Sequence, residues 1–470
     1  MQKIKIFNTL TKKKDLLKPK KGKNINLFVC GPTVYDYSHI GHAKLFITFD
    51  IFVKYLRSIG YKVFYLQNIT DLDDKIIGRA REKGVLPKAL AVAFEKEHLK
   101  DMKALGIDSV SKYARATSHI KEIISQVKRL IEKGYAYEIK GDGIYYNISK
   151  FKDYGKLAGR TALDAEDAIS RIDYSRYKKN RGDFCLWKLK EHESEPSWKS
   201  PLGLGRPGWH IEDTAITEKF FGPQYDIHGG ALELLFPHHQ AEVSQMEAIS
   251  GKSPMVNYWM HVGVLTVNGQ KMSKSLGNFI TISDFLKRHP ANQLRFFVAK
   301  NLWRSPVDYT ESNMIEIKSM LEKIEEYLRK IRNSKSEIQN KSKKLNSKTI
   351  KKLKDDFYAE LADDFNTPKA FAVLFNFIKK TNPLLEKKLI SKKQAVEIYK
   401  FFEEINKIFG IIDFKRINKK IPGNIKNLVK TRETARKNKD WQKSDEIRAQ
   451  IEKQGYIVED TSQGPAIKSL

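Results

Sequence analysis

The sequence predicts an α/β protein built around a parallel sheet. Two short apolar runs, INLFVC at 25–30 and YKVFYLQ at 61–67, flank a helical pattern from about 39 to 57. A strand, a helix and a second strand in this order are typical of a right-handed βαβ unit, whose strands are parallel. A second α/β stretch runs from about 209 to 300.

Two more helical patterns follow the first unit, at about 74–105 and 116–134. Residues 140–208 are rich in glycine, proline, tyrosine and charged residues. We therefore expect an irregular insertion within the α/β domain at 140–208.

The pattern becomes helical from about residue 311. Apolar residues recur there at helical spacing, at Ile317, Met320, Leu321, Ile324, Leu328 and Ile331. Asn366-Thr367-Pro368 is typical of an N-cap followed by a proline in the first turn. The basic stretch at 333–354 is expected to be a solvated linker or a helix face.

The end of the chain predicts a small mixed unit. Two helices, the second ending at Gly455, precede the possible strands YIVED and AIKSL. A length of 470 residues suggests about three domains. We predict an α/β domain at 1–300, an α-helical bundle at 301–410 and the mixed unit at 411–470.

Charge is the unusual feature of the composition. The chain has 86 lysines and arginines against 56 aspartates and glutamates, a formal net charge of +30. Such an excess favours a polyanionic partner, with nucleic acid as the first guess. A lysine-rich proteome or a simple need for solubility would give the same excess, so composition leaves both explanations open.

Two classes of protein are excluded by simple counts. The only cysteines are Cys30 and Cys185, too few for a disulfide framework, which fits a reducing compartment. No apolar run approaches the ~20 residues that span a bilayer. The basic N-terminus lacks the apolar segment of a signal peptide. We therefore expect a cytoplasmic protein rather than a secreted or integral membrane protein.

The first motif with chemical content is His39-Ile40-Gly41-His42, where a strand passes into a helix. The amides and dipole of a helix start favour phosphate, and two histidines three apart share one face of the first turn. Gly41 leaves room for a nucleotide base or ribose to approach the backbone. An ordinary helix start with two surface histidines would give the same pattern.

The second motif is the pentapeptide KMSKS at 271–275, which follows the apolar strand VGVLTV and an Asn-Gly turn. Lys271 and Lys274, with two hydroxyls on a short loop, suit a polyphosphate leaving group whose charge grows in the transition state. A flexible basic surface loop is the commoner origin of such a pentapeptide.

Together, in this order and about 230 residues apart, the two motifs resemble the HIGH and KMSKS signatures of class I aminoacyl-tRNA synthetases. Further stretches resemble the cysteinyl-tRNA synthetase family in particular, namely FVCGPTVYD at 28–36, NITDLDDK at 68–75, RPGWHIE at 206–212, DIHGG at 226–230, FPHH at 236–239, DFNTP at 364–368 and GYIVEDT at 455–461. The resemblance covers nearly the whole chain. It implies a Rossmann-type parallel-sheet catalytic domain that contains the insertion and the KMSKS loop.

Three residues suggest a metal site before any family is considered. His238 and Glu242 lie four apart, on one face of a helix whose first turn Pro237 can occupy. Cys30, at a strand end, can supply a thiolate. A buried free cysteine together with a surface His/Glu pair would give the same pattern.

The resemblance implies one catalytic zinc per chain, held by Cys30, His238, Glu242 and a fourth ligand. Relatives carry cysteine at the fourth position, where this chain has Asp213. A carboxylate can ligate zinc, so we expect Asp213 to complete the site. The alternative is that Asp213 only caps a helix beginning at Thr214. Cys185 does not match the missing position and is expected to be a core residue.

The resemblance also implies the reaction and its participants. A cysteine–tRNA ligase joins ATP and L-cysteine into cysteinyl-adenylate, with Mg²⁺ accompanying ATP, and passes the cysteinyl group to the 3′-terminal adenosine of cysteine tRNA. The matching motifs assign catalysis to His39, His42, Lys271 and Lys274. They assign ATP binding to His39, Gly41, His42, Gly229, Gly230 and Lys274, and the substrate pocket to Thr33 and Trp209.

The basic C-terminal regions would then grip the tRNA and its anticodon. Candidate phosphate and base contacts are Arg432, Arg436, Lys437, Lys439 and Trp441. We expect a monomer with no membrane partner. One alternative is a ligase that joins cysteinyl-adenylate to an amino sugar, whose relatives lack the full C-terminal unit. The other is a non-catalytic RNA-binding paralogue, against which the intact HIGH and KMSKS motifs argue.

Overall fold

A computed structural model describes residues 3–160, 175–193, 195–333, 345–419, 421–461 and 464–469. The α-helices are α1 Ile40–Ser58, α2 Asp74–Glu82, α3 Pro87–Ala104, α4 Ile120–Glu132, α5 Ile211–Phe221, α6 Gln240–Ser250, α7 Ile282–Arg288, α8 Ala291–Ala299, α9 Glu311–Asn333, α10 Ser347–Ala362, α11 Thr367–Glu386, α12 Lys392–Phe409, α13 Phe414–Asn418, α14 Gly423–Lys437 and α15 Trp441–Lys453.

The strands are β1 Lys5–Asn8, β2 Lys13–Leu16, β3 Asn24–Val29, β4 Lys62–Ile69, β5 Lys112–Arg115, β6 Ala136–Ile139, β7 Gly143–Tyr146, β8 Phe184–Leu189, β9 Gly205–Pro207, β10 Tyr225–Ala231, β11 Val256–Val262, β12 Leu265–Val267, β13 Gln270–Lys271, β14 Val307–Tyr309, β15 Tyr456–Thr461 and β16 Gly464–Ser469. Parts of two predicted segments, 161–174 of the insertion and 334–344 of the basic stretch, lie outside the described residues.

The central sheet has five strands in the order β11-β10-β3-β4-β5, and every neighbouring pair is parallel. The first strand of the sheet in sequence, β3, lies in the middle, with the next two on one side and the last two on the other. This is the strand order of a doubly wound Rossmann-type sheet, so the predicted fold class is confirmed. In such sheets ligands bind at the carboxyl ends of the strands where the order reverses, here β3 and β10.

Helix α1 crosses between this sheet and the helical region and is buried on most of its circumference. Even its polar residues Lys44 and Asp50 are at most 2% exposed. Asp50 pairs with Arg295 of α8 (2.7 Å), whose Nε donates to the Phe409 carbonyl oxygen at the end of α12 (2.6 Å). One apolar core runs from Ile4 to Ile417. The apolar side chains of the helical region and of the α/β domain therefore form one continuous core.

The described part of the predicted insertion is not wholly irregular, because it contributes strands to a small sheet. Strands β6, β7, β8 and β9 form an antiparallel sheet in that order, beginning before residue 140. Its strands have three to six residues, too short for a clear alternation of apolar and polar side chains. Cys185 lies in β8 and is 3% exposed, as expected for a core residue.

The other elements follow the sequence pattern closely. The helical pattern at 74–105 is divided into α2 and α3. In α9 the predicted apolar positions are buried, except that Met320 is partly buried. Asn366 caps α11 as predicted, accepting from the Lys369 amide (3.2 Å). Helices α14 and α15 and the hairpin β15–β16 form the predicted C-terminal unit, with a separate small core. None of the helices described is long and apolar enough to cross a membrane.

Candidate active site

The two sequence motifs meet at the start of α1. His39 precedes α1, and its backbone forms an antiparallel bridge with Thr281. The amide of Ile40 donates to the carbonyl oxygen of Ile280 (3.1 Å). The KMSKS loop comprises residues 271–275. The chain just after this loop is therefore hydrogen-bonded directly to the HIGH tetrapeptide.

His39 and His42 cap the helix reciprocally. Nδ1 of His39 accepts hydrogen bonds from the amides of Gly41 (3.1 Å) and His42 (3.3 Å), and Nδ1 of His42 accepts from the His39 amide (3.3 Å). Burial lowers the pKa of His39 to about 4 and that of His42 well below its ordinary value, so both rings are neutral at neutral pH. Because Nδ1 is the acceptor, each neutral ring carries its proton on Nε2, where it can donate to a phosphate oxygen.

The helix amides themselves are not open to phosphate, contrary to the expectation from sequence. Those of Gly41 and His42 are bonded to His39, and that of Ile40 is bonded to Ile280. The start of α1 therefore offers an anion its dipole and the two imidazoles rather than free backbone donors.

Both lysines of the KMSKS loop contact acidic residues at the site. Lys271 pairs with Glu233 and Lys274 pairs with Asp36, while the side chains of Lys271 and Lys274 remain 80% and 54% exposed. Burial alone would raise the pKa of Asp36, but the bond and charge of Lys274, with the Tyr37 amide and the charge of Arg79, together hold that pKa below its ordinary value. Lys274 also lies over the ring of Phe279, 5.4 Å from its centre. Because the lysine of each pair is exposed, an incoming polyphosphate can reach it and replace the carboxylate.

The three glycines assigned to ATP lie against the chain's own side chains. A Cβ atom would lie 2.8 Å from the His39 ring at Gly41, 2.1 Å from a phenylalanine ring at Gly229 and 2.5 Å from the His239 ring at Gly230. Packing within the chain is enough to require glycine at all three positions. Their contact with ATP stays a prediction.

The four predicted metal ligands converge in one buried cluster. Donor atoms of Cys30, Asp213, His238 and Glu242 all lie within 4.8 Å of one another. Sγ of Cys30 is 3.6 Å from Oδ2 of Asp213, and Nε2 of His238 is 3.1 Å from that oxygen. Nε2 of His238 is also 3.1 Å from Oε1 of Glu242. Each of the four residues is at most 3% exposed.

No lysine or arginine among the residues described pairs with this cluster. Among the residues described, Oδ1 of Asp213 and both carboxylate oxygens of Glu242 have no hydrogen-bond partner. Burial, followed by the charge of Asp213, raises the pKa of both Cys30 and Glu242 well above the ordinary values. Burial also lowers the pKa of the neighbouring His228, which is therefore neutral. Unpartnered carboxylate oxygens beside a buried thiol fit a metal cation.

Sequence reasoning missed three histidines around this cluster. Nε2 atoms of His228 and His239 lie 3.4 Å and 3.1 Å from Sγ of Cys30, and with Glu242 they form a second quartet of potential ligands. Nδ1 of His210 lies 2.9 Å from Nδ1 of His238 and fixes the orientation of that ring. All three lie inside the family motifs RPGWHIE, DIHGG and FPHH. Membership of these motifs was the sequence feature that could have identified them.

Asp213 does not cap a helix that begins at Thr214. Helix α5 begins at Ile211, with His210 before it, so Asp213 lies within the first turn and its side chain faces Cys30 and the cluster. Glu212 and Asp213 both lie in that first turn and are buried.

The two residues assigned to the substrate pocket lie in different settings. The Trp209 ring stacks on the His238 imidazole, with centres 4.4 Å apart and planes at 19°. Thr33 is partly buried on the turn after Cys30, and its backbone forms a bridge with Thr70. Trp209 is therefore placed directly against the cluster.

Three family models match successive parts of the chain. The model for the class I (C) tRNA synthetase catalytic domain matches residues 16–319. The DALR domain model matches 356–413, and the model for the cysteinyl-tRNA ligase anticodon binding domain matches 418–464.

Curated relatives match over the full length. A protein named cysteine–tRNA ligase from Methanococcus maripaludis is 42% identical over 479 residues, with 99% of each chain covered. The protein of that name from Thermococcus gammatolerans is also 42% identical with 99% of each chain covered. The one from Thermoplasma acidophilum is 43% identical, covering 97% of this chain and 98% of the relative.

Two solved structures share the fold at low identity. Methionyl-tRNA synthetase of Mycobacterium tuberculosis bound by methionyl-adenylate has a TM-score of 0.60 at 13% identity, covering 83% of this chain and 88% of that one. A ternary complex of LeuRS with tRNA and LeuAMS, from Agrobacterium radiobacter, has a TM-score of 0.62 at 12% identity, covering 84% and 85%.

Proposed function

The chain belongs to the cysteinyl-tRNA synthetase family, and on that premise we propose how its residues ligate cysteine to tRNA. It is a cysteine–tRNA ligase, which activates L-cysteine with ATP and transfers the cysteinyl group to the 3′-terminal adenosine of cysteine tRNA. One observation supports the residue roles best: the two signature motifs and a buried, cation-poor cluster meet at the carboxyl edge of one sheet.

In the first step, a carboxylate oxygen of cysteine attacks the α-phosphorus of ATP, and pyrophosphate leaves as its bond to that phosphorus breaks. The Nε2–H groups of His39 and His42 donate to phosphate oxygens. Lys271 and Lys274 release their carboxylate partners and bind the departing pyrophosphate, where negative charge develops. Mg²⁺ accompanies ATP, whose adenosine we place beside Gly41, Gly229 and Gly230.

Cys30, Asp213, His238 and Glu242 would hold one Zn²⁺ per chain, where the carboxylate oxygens lack partners. When bound, zinc would take the substrate thiol as a thiolate, a form that the far less acidic serine hydroxyl does not reach. Trp209, stacked on His238, forms an apolar wall of the substrate pocket, and we add Thr33 to that pocket. With one thiolate in place of two, this site is harder than the family's own and favours harder divalent ions by comparison.

In the second step, the 2′-hydroxyl of the terminal adenosine attacks the carbonyl carbon of the adenylate, and AMP leaves. We propose that residues 1–300 carry both reactions, that 301–410 bind the body of the tRNA, and that 411–470 read the anticodon.

Within the terminal unit, the candidate contacts Arg432 and Trp441 lie in different settings. Arg432 is 1% exposed, and both of its terminal nitrogens donate to the Asp460 carboxylate (2.8 and 3.0 Å), so it is not a free phosphate contact. Trp441 is 57% exposed, with the Arg436 guanidinium 5.7 Å from the centre of its ring. An exposed aromatic ring beside a cation can stack an unpaired base, so we assign base contact to Trp441.

The alternatives from sequence are not favoured. The amino-sugar ligase is disfavoured by the match of the anticodon binding model to 418–464. The non-catalytic paralogue is disfavoured because the HIGH histidines and KMSKS lysines converge in one place. We propose a monomeric, cytoplasmic enzyme.

Cysteine-dependent ATP–pyrophosphate exchange, with metal analysis and charging of transcribed cysteine tRNA, tests the proposal. The purified protein should catalyse exchange with cysteine but not with serine and should contain about one metal ion per chain. Chelation should remove the preference for cysteine. Exchange that is equally fast with serine, or a metal-free protein with unchanged affinity for cysteine, would overturn the proposed site.

A further inference from the structure

Lys44 is a buried lysine in α1 that forms no ion pair with any described carboxylate. Its side chain is 2% exposed, two residues beyond the HIGH tetrapeptide. Nζ donates to the carbonyl oxygens of Gly263 (2.7 Å), Ser305 (2.7 Å) and Val264 (3.3 Å). An ammonium group carries three hydrogens, and here three backbone carbonyls accept them.

Burial of a lysine ammonium group costs free energy, which its hydrogen bonds must offset. Burial lowers the pKa of Lys44 to about 7, against an ordinary value of 10.5. Glycine at position 263 allows the two backbone segments to approach closely, since a Cβ atom there would lie only 2.4 Å from the Ser305 carbonyl group. A neutral apolar side chain at position 44 would leave buried carbonyls without this donor.

The three carbonyls belong to the support of the KMSKS loop. Gly263 and Val264 connect β11 to β12, and Ser305 lies two residues before β14, which pairs in parallel with β12. Strand β12 continues through a tight turn into β13, where the loop begins. Lys44 therefore fastens the entry of the loop to α1, and the His39–Thr281 bridge fastens its exit to the same helix.

We propose that Lys44 is a positioning residue for adenylate formation, which sets the place of the KMSKS loop relative to His39 and His42. This inference rests on the proposed role of the loop lysines in binding pyrophosphate. Lys44 has no place for substrate contact, because its three hydrogens are directed at the backbone. A displacement of about 1 Å in a charge-stabilising group can cost about 10²-fold in rate.

Four variants separate this role from a merely structural one: K44M, K44R, K274A and the double variant K44M/K274A. K44M should lower kcat of ATP–pyrophosphate exchange about 10- to 100-fold and leave KM for cysteine unchanged, since the metal cluster does not depend on it. K44R should recover most of the loss. In the K274A background, K44M should lower kcat only a few-fold further, because the main lysine that Lys44 positions is already absent.

The matched control is K54M on the same helix. Lys54 Nζ is bonded to Asp50 (2.9 Å) and to the Gly106 carbonyl oxygen (3.1 Å), away from the loop. K54M should leave exchange within about twofold of the unmodified protein, because the partners of this half-buried lysine lie away from the loop. Trypsin should cut the loop at Lys271 or Lys274 faster in K44M than in K54M.

Fully multiplicative losses in the double variant, an unchanged rate of loop cleavage, or a K44R variant no better than K44M would each overturn the proposal. If K44M does not fold, K44Q replaces it. Failure of both neutral variants to fold would assign Lys44 a structural role and overturn the proposal as well. Near-normal exchange in K274A alone would instead overturn the role of the loop.

Discussion

The metal cluster and the KMSKS loop are two halves of one site built in opposite ways. The cluster residues are at most 3% exposed, and no described lysine or arginine pairs with them. The loop lysines are 54–80% exposed, and each is paired with a carboxylate. Discrimination between two similar amino acids needs donors held rigidly in a dry place, whereas a leaving group needs charges that can change partner. In the proposed reaction, the buried half selects the amino acid and the exposed half follows the leaving group.

The largest expected effect comes from Lys274→Ala. Loss of a charge-stabilising donor costs about 10²–10³ in rate, so ATP–pyrophosphate exchange should fall by that factor while fold and tRNA binding persist. Lys287→Ala is the control, since Lys287 is also an exposed lysine paired with a carboxylate, that of Asp284, but lies beyond the loop. Near-normal exchange in the Lys274 variant would remove the loop from the comparison.

Asp213→Ala tests the buried half. Loss of a buried ligand should remove metal, as measured by elemental analysis, and raise KM for cysteine about 10- to 100-fold, by comparison with the cost of losing even an outer-shell partner. Asp213→Cys should keep metal and activity, because thiolate is the family's own ligand. An Ala variant that binds metal as tightly as the unmodified protein would defeat the assignment of Asp213.

Removal of the terminal unit separates adenylate formation from tRNA recognition. Because Ile411, Ile412 and Ile417 belong to the main core, the clean deletion is 420–470 rather than 411–470. Exchange should stay within about threefold, while charging of tRNA should fall about tenfold or more, the equivalent of one lost base stack. Normal charging by the folded, shortened protein would show that the unit does not read the anticodon and would revive the amino-sugar ligase.

Lowering the pH is expected to have the smallest effect on activity. It should have a measurable effect on the free energy of unfolding. His98 is 2% exposed, and burial lowers its pKa to about 4. The unfolded chain, with a histidine pKa of about 6.5, binds a proton between those values, so the free energy of unfolding falls as pH drops through the window. A single group of this kind contributes up to about 3 kcal/mol. His98→Gln should show a flatter decline in urea midpoint from pH 6.5 to 4.5 than the unmodified protein, and equal slopes would contradict the neutral state of His98.

The fold class could be predicted because it is written in short, local patterns, whereas Asp213 was expected beside Cys30 only through the resemblance to the family. The βαβ pattern fixed the sheet, and the spacing of His238 and Glu242 placed two ligands on one face. Two partly local features were still missed. The reciprocal capping by His39 and His42 uses a residue type that rarely caps, and His228 reaches the cluster only through the pairing of β10 with β3.

Long-range partners explain the remaining differences. The sequence shows that Arg432 is charged but not that Asp460 lies against it. The antiparallel sheet of the insertion is formed by pairings between distant short strands, which no local periodicity reveals. Lys44 likewise looks like an ordinary helix lysine until Gly263 and Ser305, more than 200 positions later, are seen around it.

The adjacency of β3 and β10 also has a consequence for synthesis of the protein. Gly229 pairs with Val29, although 200 residues separate them in the chain. At about 5–20 residues per second, a ribosome needs about 10–40 s to make that interval. One edge of β3 stays open for all of this time, with its buried side chains unprotected. Contacts so distant in sequence also form slowly once both strands exist. The nascent chain is therefore exposed to aggregation until β10 emerges, and this interval is when a chaperone would serve it most.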